Sequence, residues 1–287
     1  MKKIIISLFL STQIFSQAIN LKGKLLDANT KEPIVYANIS FLKSNKGISS
    51  LEDGTFNLEI DKKLLKEKVH VSCLNYKDSL VFAKELQNKT FFLNPKNIGL
   101  DEVIVSKKRN KKIVLDKVKR RVSPFHTSGI RMLGKYFPNK LKFDVFIDKV
   151  SIYFSKRNTH NAKFRIRIFS VDKKTGKPKE DILNESTPVL IREGQRVVEL
   201  NLEEHYLEFP ENGLFVVFEK LLIPSNSYKL DDFKKSIYYA PVIGLTKIKE
   251  YREINRIYYY NKGNWHKIPI PENDFSYVPA ISLTLTN

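Results

Sequence analysis

The sequence predicts an all-β chain, two antiparallel β-sandwiches in series joined by a basic linker that can be helical. Three observations predict it. Apolar residues recur at every second position through most of the chain. Gly, Pro, Asn and Asp punctuate them at short intervals. No long 3.6-residue periodicity supplies the crossover helices that a parallel sheet requires. The expected organisation is a leader over residues 1–17, a first sandwich over 18–105, the linker over 106–135 and a second sandwich over 136–287.

The leader comes first. Lys2 and Lys3 make a basic start, Ile4 to Leu10 an apolar run, and Ser11 to Gln17 a small, polar stretch. That is the pattern of a secretory signal peptide, and the run is too short for the ~20 apolar residues of a spanning helix. Cys73 is the only cysteine, so neither an internal disulfide nor a lipid-bearing cysteine at the cleavage point is expected. A soluble product in the periplasm or at the cell surface follows. Stability must come from apolar burial, and 42% hydrophobic with 11% aromatic residues supplies two cores.

In the first sandwich, Leu21 to Leu26 reads as a strand and Asp27 to Pro33 as the turn after it. Ile34 to Leu42 reads as a second strand, with Val35, Ala37, Ile39 and Phe41 on one face. Asp53-Gly54 supplies the positive dihedral of a tight hairpin ahead of Phe56, Leu58 and Ile60. Val69, Val71 and Cys73 form another inward row, and Thr90 to Leu93 with Leu100 to Val105 complete the set.

Four of these segments, Gly23 to Asp27, Glu32 to Ile39, Gly47 with Glu52 to Leu58, and Leu100 to Val105, resemble the carboxypeptidase-regulatory-like domain of Bacteroidota. The resemblance implies a transthyretin-like Greek-key sandwich serving as an accessory module on surface proteins and outer-membrane transporters, without catalysis. The chain departs from the family's usual Gly-Tyr at Asn75-Tyr76, where Asn tolerates the left-handed conformation best after Gly.

The linker is the most polarised stretch. Nine basic residues between Lys107 and Arg121 face a single acid, Asp116. Val114, Val118 and Val122 repeat every four residues, which would give a helix an apolar stripe under a basic face. Lys111, Lys112, Lys119, Arg120 and Arg121 are the candidates for contact with an anionic membrane or lipopolysaccharide. A solvated linker docked by its valines is the plainer reading and is preferred, because an interfacial helix would carry Trp or Phe.

In the second sandwich, Phe164, Ile166 and Ile168 alternate with Lys163, Arg165 and Arg167, giving one buried and one cationic face. Val150, Ile152 and Phe154, then Leu214, Val216 and Phe218, then Ile281, Leu283 and Leu285 repeat the rhythm. An antiparallel sandwich of jelly-roll type is expected. Phe164 to Phe169, Gly213 to Glu219 and Gly263 to Trp265 also resemble, more weakly, modules that follow such regulatory-like domains and look like galactose-binding or adhesin sandwiches.

Chemistry is thinly represented. His205-Tyr206-Leu207-Glu208 has a two-ligand zinc spacing, but His266 lies too near to be the distant third ligand. No serine-nucleophile elbow and no glycine-rich phosphate loop occurs. No cofactor is expected. An acid pair meeting only in space would make a hydrolase and is the third reading. Tyr258, Tyr260 and Trp265 are the candidate ligand surface, since about half of a consecutive strand run must face away from the core. The formal charge of +19 would suggest nucleic acid in a cytosolic chain. Export points instead to an envelope protein or glycan as partner, with no nucleic acid. The leading expectation is a non-catalytic binding or scaffolding protein with the first domain as spacer and the second as recognition surface. A carbohydrate-binding accessory protein is the alternative.

Overall fold

The computed structural model describes residues 17–96, 111–118, 122–127, 131–155, 158, 160–183, 188–229, 237–248, 257–268 and 276–287. Residues 1–16 of the expected leader, and Leu100 to Val105, lie outside this set.

Two sheets enclose the first core. One runs β4 (Thr55–Asp61), β1 (Ala18–Asp27), β7 (Lys89–Leu93), and the other β3 (Gly47–Ser49), β2 (Asn38–Phe41), β5 (Lys68–Ser72), β6 (Ser79–Phe82). Leu21, Leu25, Phe56 and Ile60 from the first meet Ile39, Phe41, Val69 and Val71 from the second. Burying each such side chain contributes roughly 1.5–3 kcal/mol. The hairpin glycine behaves as expected, with Gly54 at φ +79°, and Asn75 takes the left-handed position at φ +65°.

Two details differ from expectation. The β1–β7 ladder is parallel, because the chain reaches β7 from the other sheet through the short helix α1 (Ala83–Leu86) and so returns alongside β1. The predicted strand over Ile34 to Leu42 is a strand only from Asn38, since Tyr36 has φ +55° and breaks the extended run.

The second core lies between a seven-stranded and a four-stranded sheet. The larger runs β13 (Pro178–Asp181), β12 (Ala162–Val171), β16 (Leu214–Lys220), β10 (Met132–Phe137), β20 (Ile257–Asn261), β21 (Asn264–Lys267), with β14 (Val189–Ile191) also on β12. The smaller runs β15 (Val197–Asn201), β11 (Phe146–Tyr153), β23 (Ile281–Thr286), β8 (Lys112–Leu115). Small antiparallel sheets of β22 (Ser276–Pro279), β19 (Gly244–Ile248) and β9 (Ser123–Pro124), and of β17 (Ser227–Lys229) and β18 (Ile237–Tyr239), close one side. The four alternating rows read from the sequence all point into this core.

The basic stretch is not helical where it is described. Lys112–Leu115 is β8, paired antiparallel with β23. Ile113 and Leu115 turn toward the core while Val114 faces out, so a period of two displaces the four-residue stripe. Strand pairing wins because the β-branched Ile113 and Val114 suit a half-buried pleat. The lone acid has a structural task. Asp116 sits 2.9 Å from the Lys135 amine, which is buried and also donates to the Ile281 carbonyl at 2.7 Å. Burial lowers the Lys135 pKa, and Asp116 opposes that shift.

Candidate functional site

The cationic face of β12 is where the two sandwiches meet. Alternation aims Lys163, Arg165 and Arg167 away from the second core; the first sandwich takes up Lys163 and Arg165, and Arg167 faces the opening at one end of the junction. Arg165 donates through Nη1 to the Tyr36 carbonyl at 3.0 Å and through Nη2 to the Val35 carbonyl at 2.8 Å. Lys163 reaches the Tyr36 hydroxyl at 3.0 Å and pairs with Glu52. From β10's approach, Arg131 donates to the Ile39 carbonyl at 3.1 Å and the Lys46 carbonyl at 3.3 Å.

The acid among these arginines is Glu219, which stands opposite Arg165 in the β12–β16 register and accepts from the Asn38 amide. Ser49 and Leu222 exchange two further hydrogen bonds across the junction. Tyr36, Leu221 and Ile223 make a small apolar cluster beside them. Guanidinium groups suit this role because they can satisfy several carbonyls at once and stay charged. Burial pushes the Arg131 pKa down to about 10, so it remains a cation at neutral pH.

Gly47 makes the fit possible. A Cβ there would collide with the Arg131 guanidinium and with the Ile39 carbonyl oxygen. Gly47→Ala is expected to cost about 1–3 kcal/mol of stability, as overpacking does. Thermal unfolding checks it, and an unchanged midpoint would show that Arg131 moves aside freely.

One end of the junction opens into a cleft of about 650 Å³. The first sandwich lines it with Ser72, Asn75, Asp78 and Lys96, and the second with Arg167, Phe169, Glu180, Asp181, Tyr260 and Trp265. Arg167 donates through Nε to Asp181 at 2.6 Å and lies 4.9 Å from the Phe169 ring centre. Burial disfavours its charge, but Glu219 and Asp181 outweigh that and hold its pKa above the ordinary arginine value.

Asp78 lies 3.1 Å from His70 Nε2, and the Tyr260 hydroxyl lies 3.5 Å from His70 Nδ1. Burial raises the Asp78 carboxyl, but pairing with His70 prevails and holds it below the usual range. Burial, with the Asp78 charge, pushes the Tyr260 phenol up to about 12, so its proton is retained. Burial likewise raises the Cys73 thiol, which makes it a poor nucleophile.

The three expected ligand residues divide. Tyr258 and Tyr260 do share the face of β20 turned away from the main core, and Trp265 pairs across from Tyr260. That face is not open. Tyr258 is only 5% exposed, packed edge-on against Phe215 at 5.4 Å within a second apolar cluster with Met132, Phe169 and Val217. It is therefore removed from the candidate surface. Tyr260 and Trp265 are half-buried and line the cleft, with Trp265 set at steep angles to Phe169 (5.5 Å) and Tyr260 (5.2 Å).

Among the basic candidates, Lys111 is exposed, whereas Lys112 pairs with Asp148 at 3.1 Å. Lys119, Arg120 and Arg121 lie outside the described residues. His205 ends an exposed 3-10 turn and Glu208 bridges to Phe146. Among the described residues no three His, Cys, Asp or Glu side chains converge on a metal position.

The residues missed by sequence reasoning are the junction set, Arg131, Arg165, Glu219 and Asn38. A signal was present: Leu214 to Phe218 is continuously apolar and runs straight into Glu219-Lys220, the pattern of a strand buried on both faces. All seven residues of β16 are buried.

A comparison with curated protein sequences finds no match. Among solved structures, the cysteine protease and lectin-like domains of Cwp84, a surface layer associated protein of Clostridium difficile, align at 11% identity with a TM-score of 0.36. That alignment covers 63% of this chain and 37% of the other, a likeness too distant to carry an argument. The family model of the CarboxypepD_reg-like domain matches residues 21–105, in agreement with the sheets around the first core. Over residues 21–105 the chain is thus similar to the CarboxypepD_reg-like domain family.

Proposed function

We propose that the chain is an exported, non-catalytic binding protein of the cell envelope whose two sandwiches act as one body and present the cleft between them as the ligand seat. The observation that carries this reading is the buried junction of Arg131, Arg165, Glu219 and Asn38, which fixes both walls of the cleft. A spacer joined to a free recognition domain would not need it. The first sandwich is then half of the site.

The non-catalytic part of the proposal is supported by how the cleft's acids are engaged. Asp181 is held by Arg167, Asp78 by His70, and Glu180 by Lys179 at 3.0 Å. Glycoside hydrolysis needs a carboxyl group free to exchange protons with the substrate. The leader pattern of residues 1–17 supports export.

Fractionation of cells producing the full chain tests the location. The protein is expected in the periplasmic or surface fraction with residues 1–16 or 1–17 removed. Retention in the cytoplasm with the leader intact would overturn the envelope assignment.

A further inference from the structure

We propose that the cleft takes a short, uncharged saccharide, a reading that rests on the cleft being the ligand seat. Its volume of about 650 Å³ falls within the roughly 300–1,000 Å³ of small-ligand sites. Its walls combine the two features that pyranose rings require. One is an aromatic surface: the half-buried Tyr260 and Trp265 stand side by side on the second sandwich, and the buried Phe169, packed edge-on against Trp265, helps hold its indole in place. The C–H face of a sugar packs on such a ring. The other is a set of short polar side chains opposite, Ser72, Asn75 and Asp78, which can pair with hydroxyls as donors and acceptors.

Charge selects the class of sugar. The chain carries +19, but the cleft is balanced, with Lys96, Arg167 and Lys179 against Asp78, Glu180 and Asp181. Two of those cations, Arg167 and Lys179, are already paired with acids. A polyanion would find its counter-charges elsewhere on the surface, and here it would meet carboxylates.

An extended peptide is disfavoured by the edge it would have to join. The strand at this side, β13, begins at Pro178, which lacks a backbone N–H, and continues through the charged Lys179 and Glu180. Both features blunt strand addition.

The test is calorimetric titration of the purified chain with soluble neutral tri- and tetrasaccharides (gluco-, manno-, galacto- and xylo-configured) and with oligogalacturonate as the acidic counterpart. Binding of a neutral series is expected, weakly dependent on salt. Trp265→Ala should weaken it on the order of tenfold or more, through loss of the stacking surface. Asp78→Ala, on the opposite wall, should weaken it as well and reads the same site should the tryptophan variant unfold. Circular dichroism confirms that each variant is folded. The proposal is overturned by absence of binding to every neutral sugar, by binding that survives both substitutions, or by preference for oligogalacturonate with steep salt dependence. Those outcomes leave the location measured by fractionation untouched, so the saccharide assignment and the envelope assignment can fail separately.

Discussion

Replacing Glu219 with alanine is expected to destabilise the folded chain by about 3–5 kcal/mol, the cost of leaving buried partners of a charge uncompensated. Glu219 is 1% exposed, accepts from Asn38 across the junction, and stands opposite Arg165 in the sheet register. Its charge also supports Arg131 and Arg167. Without it the guanidinium hydrogen bonds to carbonyl oxygens and to Asp181 remain, but the buried negative charge that favours the charged forms of Arg131 and Arg167 is gone. Glu219→Gln keeps an acceptor for Asn38 and should lose less, which separates the charge from the hydrogen bond. Urea denaturation followed by fluorescence measures both. A loss under ~1 kcal/mol for the alanine variant would mean that water reaches the arginines and that the junction is not a closed interface.

The second large effect has the opposite sign. Lys220, next along β16, is buried with its amine bonded to the Thr127 carbonyl at 3.2 Å and hydroxyl at 3.0 Å. Burial pushes its pKa from 10.5 down to about 8. An unfolded chain keeps the proton up to about 10.5, so between pH 8 and 10.5 it binds more protons than the folded chain, and stability rises with pH across that window. Below pH 8 the full penalty is present. Lys220→Met removes the charge at similar volume and should stabilise by about 1–3 kcal/mol at pH 7, part of the gain being offset by the lost bonds to Thr127. The gain should shrink as pH passes 8 and fade near 10.5. Denaturation midpoints at pH 7 and pH 10 test this, and a gain that does not change with pH would assign the effect to packing instead.

Much of the fold was legible because a sandwich writes itself in a two-residue rhythm. Phe164, Ile166 and Ile168 were placed correctly from alternation alone, as were Ile281, Leu283 and Leu285, because one face of each strand meets a core made from the same sandwich. The junction was harder for a physical reason. Arg165 and Arg167 look like solvent-facing residues in any single-strand pattern, and only a partner about 130 residues away, the Val35 and Tyr36 carbonyls, makes burial of Arg165 affordable. Asn38 and Ser40 show the same effect from the other side, being buried on the face of β2 that alternation assigns to water.

The linker failed for a related reason. Val114, Val118 and Val122 fit a helical stripe, yet the edge of β23 offered Ile113 and Leu115 a place in the core. Tyr258 falls in a second apolar cluster on the outer face of the larger sheet, a feature with no local signature.

A shaped cleft requires the two sandwiches to form one rigid body, and an interdomain distance measures that most directly. With Cys73 changed to Ser, spin labels at the exposed positions Lys84 on the first sandwich and Lys173 on the second would report the separation by pulsed electron resonance. One narrow distance distribution is expected, broadening when Arg131 and Arg165 are both changed to alanine. A broad distribution in the otherwise native chain would contradict the account, because a cleft with two independent walls has no fixed shape to recognise anything.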